Sequence, residues 1–135
     1  MPTVYDAAAS VPGATNGSLS RSIPGTPTNI VLAEFGLATG SSTNLVLLSA
    51  TVGVSASLLA PDILFSIIRD TGVIFTALAQ ESLTVIQNET VSFSTADTNV
   101  PAGYHAYQLV ATITNPLLNA ANVVGPVTFT GLSLQ

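Results

Sequence analysis

Asp70-Thr71-Gly72 is the string in this sequence that looks most like chemistry. It would present a carboxylate at a loop tip, and two such carboxylates meeting across a dimer axis could share a proton and activate water. The same triplet, set between the apolar runs 63–68 and 73–79, is also the composition of a tight hairpin turn. Arg69 next to it favours the turn, because a neighbouring cation stabilises an ionised Asp over a shared proton. The lone histidine, His105, stands between Tyr104 and Ala106. A base there would need a nucleophile and an orienting acid. No Gly-x-Ser-x-Gly elbow supplies them, so a packed or interface histidine is expected.

Asp62, Glu81, Glu89 and Asp97 fall in or near turns and could offer oxygens to calcium, but singly, without the spacing of a calcium loop. One histidine and no cysteine do not make a tetrahedral zinc site. No glycine-rich loop is present to cradle phosphate. Asn16-Gly17-Ser18 and Asn88-Glu89-Thr90 have the N-glycosylation spacing. The N-terminus, MPTVYDAAASVPG, has neither a basic region nor an apolar one, so no secretory signal is expected and both sequons read as coincidence. The expectation is a protein that is not an enzyme, with no catalytic residue, cofactor or metal.

The elements around these residues are short apolar runs separated by turn residues, which spells an all-β sandwich or barrel. Strands are expected over residues 29–37, 45–56, 63–69, 73–80, 83–87, 90–95, 104–114, 122–124 and 127–134. Asp70-Thr71-Gly72 and Asn99-Val100-Pro101-Ala102-Gly103 are the strongest turns. In 104–114 the residues Tyr107, Leu109, Ala111 and Ile113 share one face. In the last run the apolar set changes phase, from Val127 and Phe129 to Leu132 and Leu134, which predicts a bulge or twist at Gly131. The fold class expected is an antiparallel jelly-roll sandwich of about eight strands. Residues 1–28, rich in Pro, Gly, Ser, Thr and Ala, read as an extended N-terminal arm before a domain at 29–135. The arm would dock on its own domain or on a neighbouring copy through Val4, Tyr5, Val11, Leu19 and Ile23.

The chain has 135 residues with Arg21 and Arg69 as its only cations, no lysine, seven acidic residues and a net charge of −5. Charged residues make up 7%, against roughly 25% in an ordinary soluble domain. Nucleic acid is excluded as a partner, because phosphate binding needs many Lys and Arg. The apolar runs are too short for a spanning helix of about 20 residues, so no membrane is expected. Ile63, Phe65 and Ile67 lie on one side of their strand while Leu64 and Ile68 lie on the other. In an antiparallel sandwich such two-sided apolar strands predict that the outer face is covered too, most simply by copies of the same chain.

The segments ILFSIIRDTGVIFTALAQ and TVSFSTADTNVPAGYHAYQLVATIT resemble the jelly-roll domains of the tumour-necrosis-factor/C1q type. Within that type they look closest to Bacillus-type spore-surface proteins, such as the C-terminal domain of the collagen-like exosporium glycoprotein. The resemblance covers roughly residues 30–134. It implies a compact homotrimer, with Phe65, Tyr104, Tyr107, Phe129, Leu132 and Leu134 on its core or trimer strands. The sequence departs from the exosporium glycoprotein in having no Gly-X-Y stretch and in having the arm instead. A jelly roll with a dockable arm resembles the subunits of endospore appendages. The resemblance therefore implies a structural subunit that assembles with itself into a fibre through residues 1–28. It would be made in the mother-cell cytoplasm, displayed on the spore surface, and joined there by an anchor or tip protein. A trimeric binding or adhesion tip, and a viral or phage fibre or capsid jelly roll, are the alternatives.

Overall fold

The computed structural model describes residues 2–41, 43–58, 60–80 and 87–135, and among them the fold is nine strands with no helix. They are β1 (Val4–Gly13), β2 (Arg21–Ser22), β3 (Ile30–Thr39), β4 (Leu45–Leu58), β5 (Asp62–Arg69), β6 (Gly72–Gln80), β7 (Gln87–Thr98), β8 (Gly103–Ile113) and β9 (Ala120–Leu134). One sheet has the order β1-β9-β4-β7, with the short β2 also on β9, and the other has the order β3-β8-β5-β6. Every strand pairing is antiparallel. Apart from β1–β2 and the β5–β6 hairpin, successive strands cross between two facing sheets, and the chain is an all-β jelly roll. The strand expected over 83–87 lies, apart from Gln87, outside the described residues, as does Glu81.

Alternation places the core. Val46, Leu48, Val52 and Val54 of β4, Phe65 and Ile67 of β5, Tyr107 and Leu109 of β8, and Val127 and Phe129 of β9 are all buried between the sheets. Phe35 closes on Phe129 with ring centroids 4.6 Å apart, and Phe93 reaches Phe65 at 5.6 Å. Such side chains stabilise the fold by about 1.5–3 kcal/mol each when fully removed from water.

The N-terminal segment docks on its own domain, one of the two places expected for it, but does so as part of the sheet. Residues Val4–Gly13 are a strand of the sheet, running from Val4 opposite Leu134 to Gly13 opposite Val127. Without β1 the jelly roll would lack one of its eight long strands. Its small residues hide it in the sequence, because an edge strand shows a partner on one side only and Ala7–Ala9 carry little apolar area.

The C-terminal strand corrects a second expectation. Runs 122–124 and 127–134 form one strand, β9, and its alternation passes Gly131 unbroken, with Phe129, Gly131 and Ser133 facing inward. The irregularity lies earlier. Val52 pairs with Val127 and the next registered pair is Val54 with Val123, so β9 bulges opposite Gly53. A Cβ on Gly53 would run into the Gly125 carbonyl. Gly131 instead clears room for a ring: a Cβ there would lie 2.6 Å from Cζ of Phe35.

Candidate functional site

Arg69, Asp70, Asp97 and His105 of this charge-poor chain gather at one end of the sandwich, around the β5–β6 and β7–β8 turns. Asp70 and Thr71 form a two-residue turn closed by the pair Arg69–Gly72. Asp70 takes φ 57° and Asn99, in the β7–β8 turn, takes φ 53°. Short Asx side chains tolerate this left-handed region better than other non-glycine residues. The expected hairpin is therefore present, and its carboxylate is not free. Oδ1 of Asp70 accepts from the Ala106 N–H at 3.0 Å, and Oδ2 lies 2.8 Å from Nδ1 of His105. The hydrogen bond from His105 is the main cause that holds the Asp70 carboxyl below its usual range, with Arg69 contributing least. The expected role of Arg69 beside Asp70 is therefore minor, because its guanidinium is committed elsewhere.

Arg69 Nη1 donates to both oxygens of Asp97, at 2.8 and 2.6 Å, and the Tyr107 hydroxyl donates to Oδ2 at 2.9 Å. Burial and then the Asp97 hydrogen bond push the Tyr107 phenol well above the usual tyrosine range. Asn44 stitches the neighbouring loop. Its side chain donates to the Val100 carbonyl at 2.7 Å and accepts from the Val100 N–H at 3.0 Å. Thr39 Oγ1 donates to the Pro101 carbonyl at 2.7 Å. Asp97, His105 and Asp70 stood out in the sequence. Asn44 and Thr39 did not, since nothing about a single Asn or Thr marks it as a loop tie.

His105 Nε2 lies 2.6 Å from the Pro101 carbonyl oxygen and Nδ1 lies 2.8 Å from Oδ2 of Asp70, so both ring nitrogens are engaged within the network. Asp62 and Glu89 stand apart from it, and among the described residues no three His, Cys, Asp or Glu side chains gather as a metal site.

The residues expected to dock the N-terminal segment, and those expected on core or trimer strands, divide. Val4, Tyr5 and Val11 are exposed on β1, while Ile23 is buried in the core of its own domain and Leu19 packs against that core. Phe65, Tyr107 and Phe129 are wholly inside. Tyr104 is not in the core: it is 74% exposed and lies across Gly36. Leu132 and Leu134 point to the outside of their sheet, the opposite face from Phe129.

Those leucines belong to one of two apolar outer surfaces. On the β1-β9-β4-β7 sheet, Leu132 stands beside Leu47, and Leu134 beside Leu45. Leu45 and Leu134 border a shallow depression lined also by Pro2, Thr43, Asn44, Asn99 and Gln135. The middle of this face is hydroxyl-clad, with Ser49 between Thr130 and Ser94, and Thr51 between Thr128 and Ser92. On the other sheet, the register places Val31 beside Val110, Leu64 beside Leu78, and Ile68 beside Val73. Val73 is 60% exposed and Leu78 52%. Glu34, bonded to the Gln108 amide at 3.0 Å, adds a carboxylate to this outer face.

No protein-family model matches the chain, and no curated protein matches it either. Solved structures do share its fold. A chain in the structure of infectious bursal disease virus, Gx strain, is 14% identical with a TM-score of 0.50; the match covers 99% of this chain and 35% of that one. The dimeric latent PorU of Porphyromonas gingivalis is 11% identical with a TM-score of 0.50, over 96% of this chain and 13% of its own. This chain thus spans about a third of the virus chain. The likeness is one of fold.

Proposed function

We propose that this protein is a structural subunit that assembles with copies of itself. The observation that carries the reading is the pair of apolar surfaces on opposite outer faces of the sandwich. One comprises Val31, Leu64, Ile68, Val73 and Leu78, and the other Leu45, Leu47, Leu132 and Leu134. A chain with nine Lys, Arg, Asp and Glu in all has little charge to keep such surfaces apart. Covering each partly exposed leucine or valine would contribute on the order of 1 kcal/mol before the costs of association. One surface alone would close a dimer. Two, on opposite faces, let each copy hold two neighbours and extend into a fibre or shell. A chain in the infectious bursal disease virus structure shares this fold, which fits a subunit of a larger body.

The trimeric, spore-surface form of this reading rests on the resemblance of residues 63–113. Growth through an N-terminal arm draws less support, because residues 4–13 are taken up in the subunit's own sheet. They could serve a neighbour only by leaving β9 of their own chain.

Electron micrographs of the purified protein, with mass photometry across a concentration series, test the proposal. Ordered fibres, shells or defined oligomers are expected. Leu78→Asp and Leu47→Asp should each reduce the assembled mass while leaving the circular dichroism of the subunit unchanged. A protein that stays monomeric at every concentration would refute the reading.

A further inference from the structure

His105 is held at both ring nitrogens by groups that accept. Nδ1 faces Oδ2 of Asp70 at 2.8 Å, and Nε2 faces the Pro101 carbonyl oxygen at 2.6 Å. A neutral imidazole has one N–H and one lone pair, so it can satisfy one of these oxygens while turning its lone pair on the other. The imidazolium satisfies both. The two oxygens are themselves fixed. The Asp70 N–H donates to the Ala106 carbonyl at 2.7 Å, and its Oδ1 accepts from the Ala106 N–H. The Pro101 carbonyl takes its second bond from Thr39 on β3. One ring thus joins the β5–β6 turn, β8 and the β7–β8 turn, and through Pro101 the end of β3.

We propose that His105 is a proton-operated clasp: protonated, it locks the β5–β6 and β7–β8 turns together, and on losing its proton it releases the β7–β8 turn. The N–H that remains stays with the carboxylate, which is the stronger acceptor, so the contact given up is the one to Pro101. That turn carries the exposed Pro101 and Ala102 and leads into Tyr104, so the clasp sets how firmly the surface at this end is held.

The charged groups facing the ring are Asp70, which favours the imidazolium, and Arg69, which opposes it while engaged by Asp97. Burial pulls the His105 value down, but the bonds to Asp70 and Pro101 outweigh it and the net shift is upward from 6.5. Its contribution to stability is therefore present below the ordinary histidine value and is lost as pH rises through the raised one. Asp70, held low, contributes above the ordinary carboxylate value and loses that contribution as pH falls through its lowered one. The clasp is closed between those limits.

Because His105 is the only histidine, its ring nitrogens can be followed by NMR without ambiguity. Both nitrogens should be protonated at mildly acidic pH, with a midpoint above 6.5. Past that midpoint, and corrected for intrinsic pH dependence, amides over 99–104 should exchange about fivefold faster or more, as losing one hydrogen bond implies. His105→Gln should abolish the step. Asp70→Asn, which keeps a side chain tolerant of the left-handed turn, should lower the midpoint. A midpoint at or below 6.5, or equal exchange on either side of it, would overturn the clasp. The wild-type profile decides this even if a variant fails to fold.

Discussion

Asp6 of β1 accepts a hydrogen bond from the Ala38 N–H of β3 at 2.8 Å, which ties together the neighbouring edges of the two sheets. Its other oxygen accepts from the Ala7 N–H at 2.9 Å. The carboxylate therefore pairs one edge amide that no strand covers and fastens the N-terminal strand to the domain. Asp6→Ala should destabilise the subunit by about 1.5–3 kcal/mol, the usual cost of a hydrogen bond to a charged group. In urea the midpoint should fall with no change in slope. Removing residues 1–13 should do far more, by baring the edge of β9. A truncated chain that melts at the wild-type temperature would show that β1 is an accessory to the fold.

Most of the eight long strands were legible in the sequence because alternation marks a core face. Val46, Leu48, Ala50, Val52 and Val54 on β4 state their face unaided. β1 was illegible because its inward positions are Asp6, Ala8 and Ser10, which carry no apolar signal. β9 misled for the opposite reason. Its outward Leu132 and Leu134 are greasy and its inward Gly131 and Ser133 are not, so the pattern inverts while the backbone runs straight. Of the polar end, the turn at Asp70 and the lone histidine could be seen in advance. That Arg69 would choose Asp97 over adjacent Asp70 depends on strands brought together by the fold, and local spacing does not encode it.

Gly131 is where the inverted pattern meets the core. The Phe35 ring passes over it and packs against Phe129 and Tyr107, with centroids 4.6 and 5.8 Å away. A methyl group at 131 would sit 2.6 Å from Phe35 Cζ and also 3.3 Å from Leu48 Cδ2. Gly131→Ala should cost about 1–3 kcal/mol by overpacking. Adding Phe35→Leu should recover part of it if the ring is the obstacle. Denaturation of the single and double variants reads this as a coupling. Strictly additive losses would place the obstacle elsewhere.

Ser133 is fully buried opposite Val46, and its hydroxyl has no hydrogen-bond partner among the described residues. Burying a hydroxyl unpaired costs about 1–3 kcal/mol, and alanine removes the hydroxyl with little loss of volume. Ser133→Ala should therefore leave stability unchanged or raise it by about 1 kcal/mol. A clear loss in thermal midpoint would mean that the hydroxyl is bonded in solution.

Tyr107 and Asp97 form the more demanding polar pair. The tyrosine is fully buried, and the carboxylate accepts from both its hydroxyl and Arg69. Tyr107→Phe removes one donor and should cost about 1.5 kcal/mol, whereas Asp97→Ala strands two donors and should cost about 3 kcal/mol. Alkaline titration offers a second readout. Tyr107 should stay protonated well past the ordinary tyrosine value of 10.0, because burial and the neighbouring carboxylate both disfavour the phenolate. If all tyrosine absorbance change is complete at the ordinary value while the fold persists, the pair is not closed in solution.

The absence of lysine gives the last prediction its simplicity, since trypsin has two arginines to find. Arg21 is in β2, paired antiparallel with Val123 of β9, and Arg69 ends β5 with its guanidinium on Asp97. Cleavage needs several residues of backbone to leave their pairing and enter the protease, so the native rate should follow local opening. Arg69 sits between β6 and β8 and should be cut only on global unfolding. Arg21 is held by a two-residue pairing, while Ile23 behind it is buried and its N–H donates to the Ala121 carbonyl at 3.0 Å. Native protein should survive digestion that cuts both sites in urea, with Arg21 the first to yield as denaturant rises. Ile23→Ala should advance that first cut without affecting the second. Immediate cleavage at Arg21 in native buffer would mean that the segment from 14 to 28 is not docked on β9 in solution.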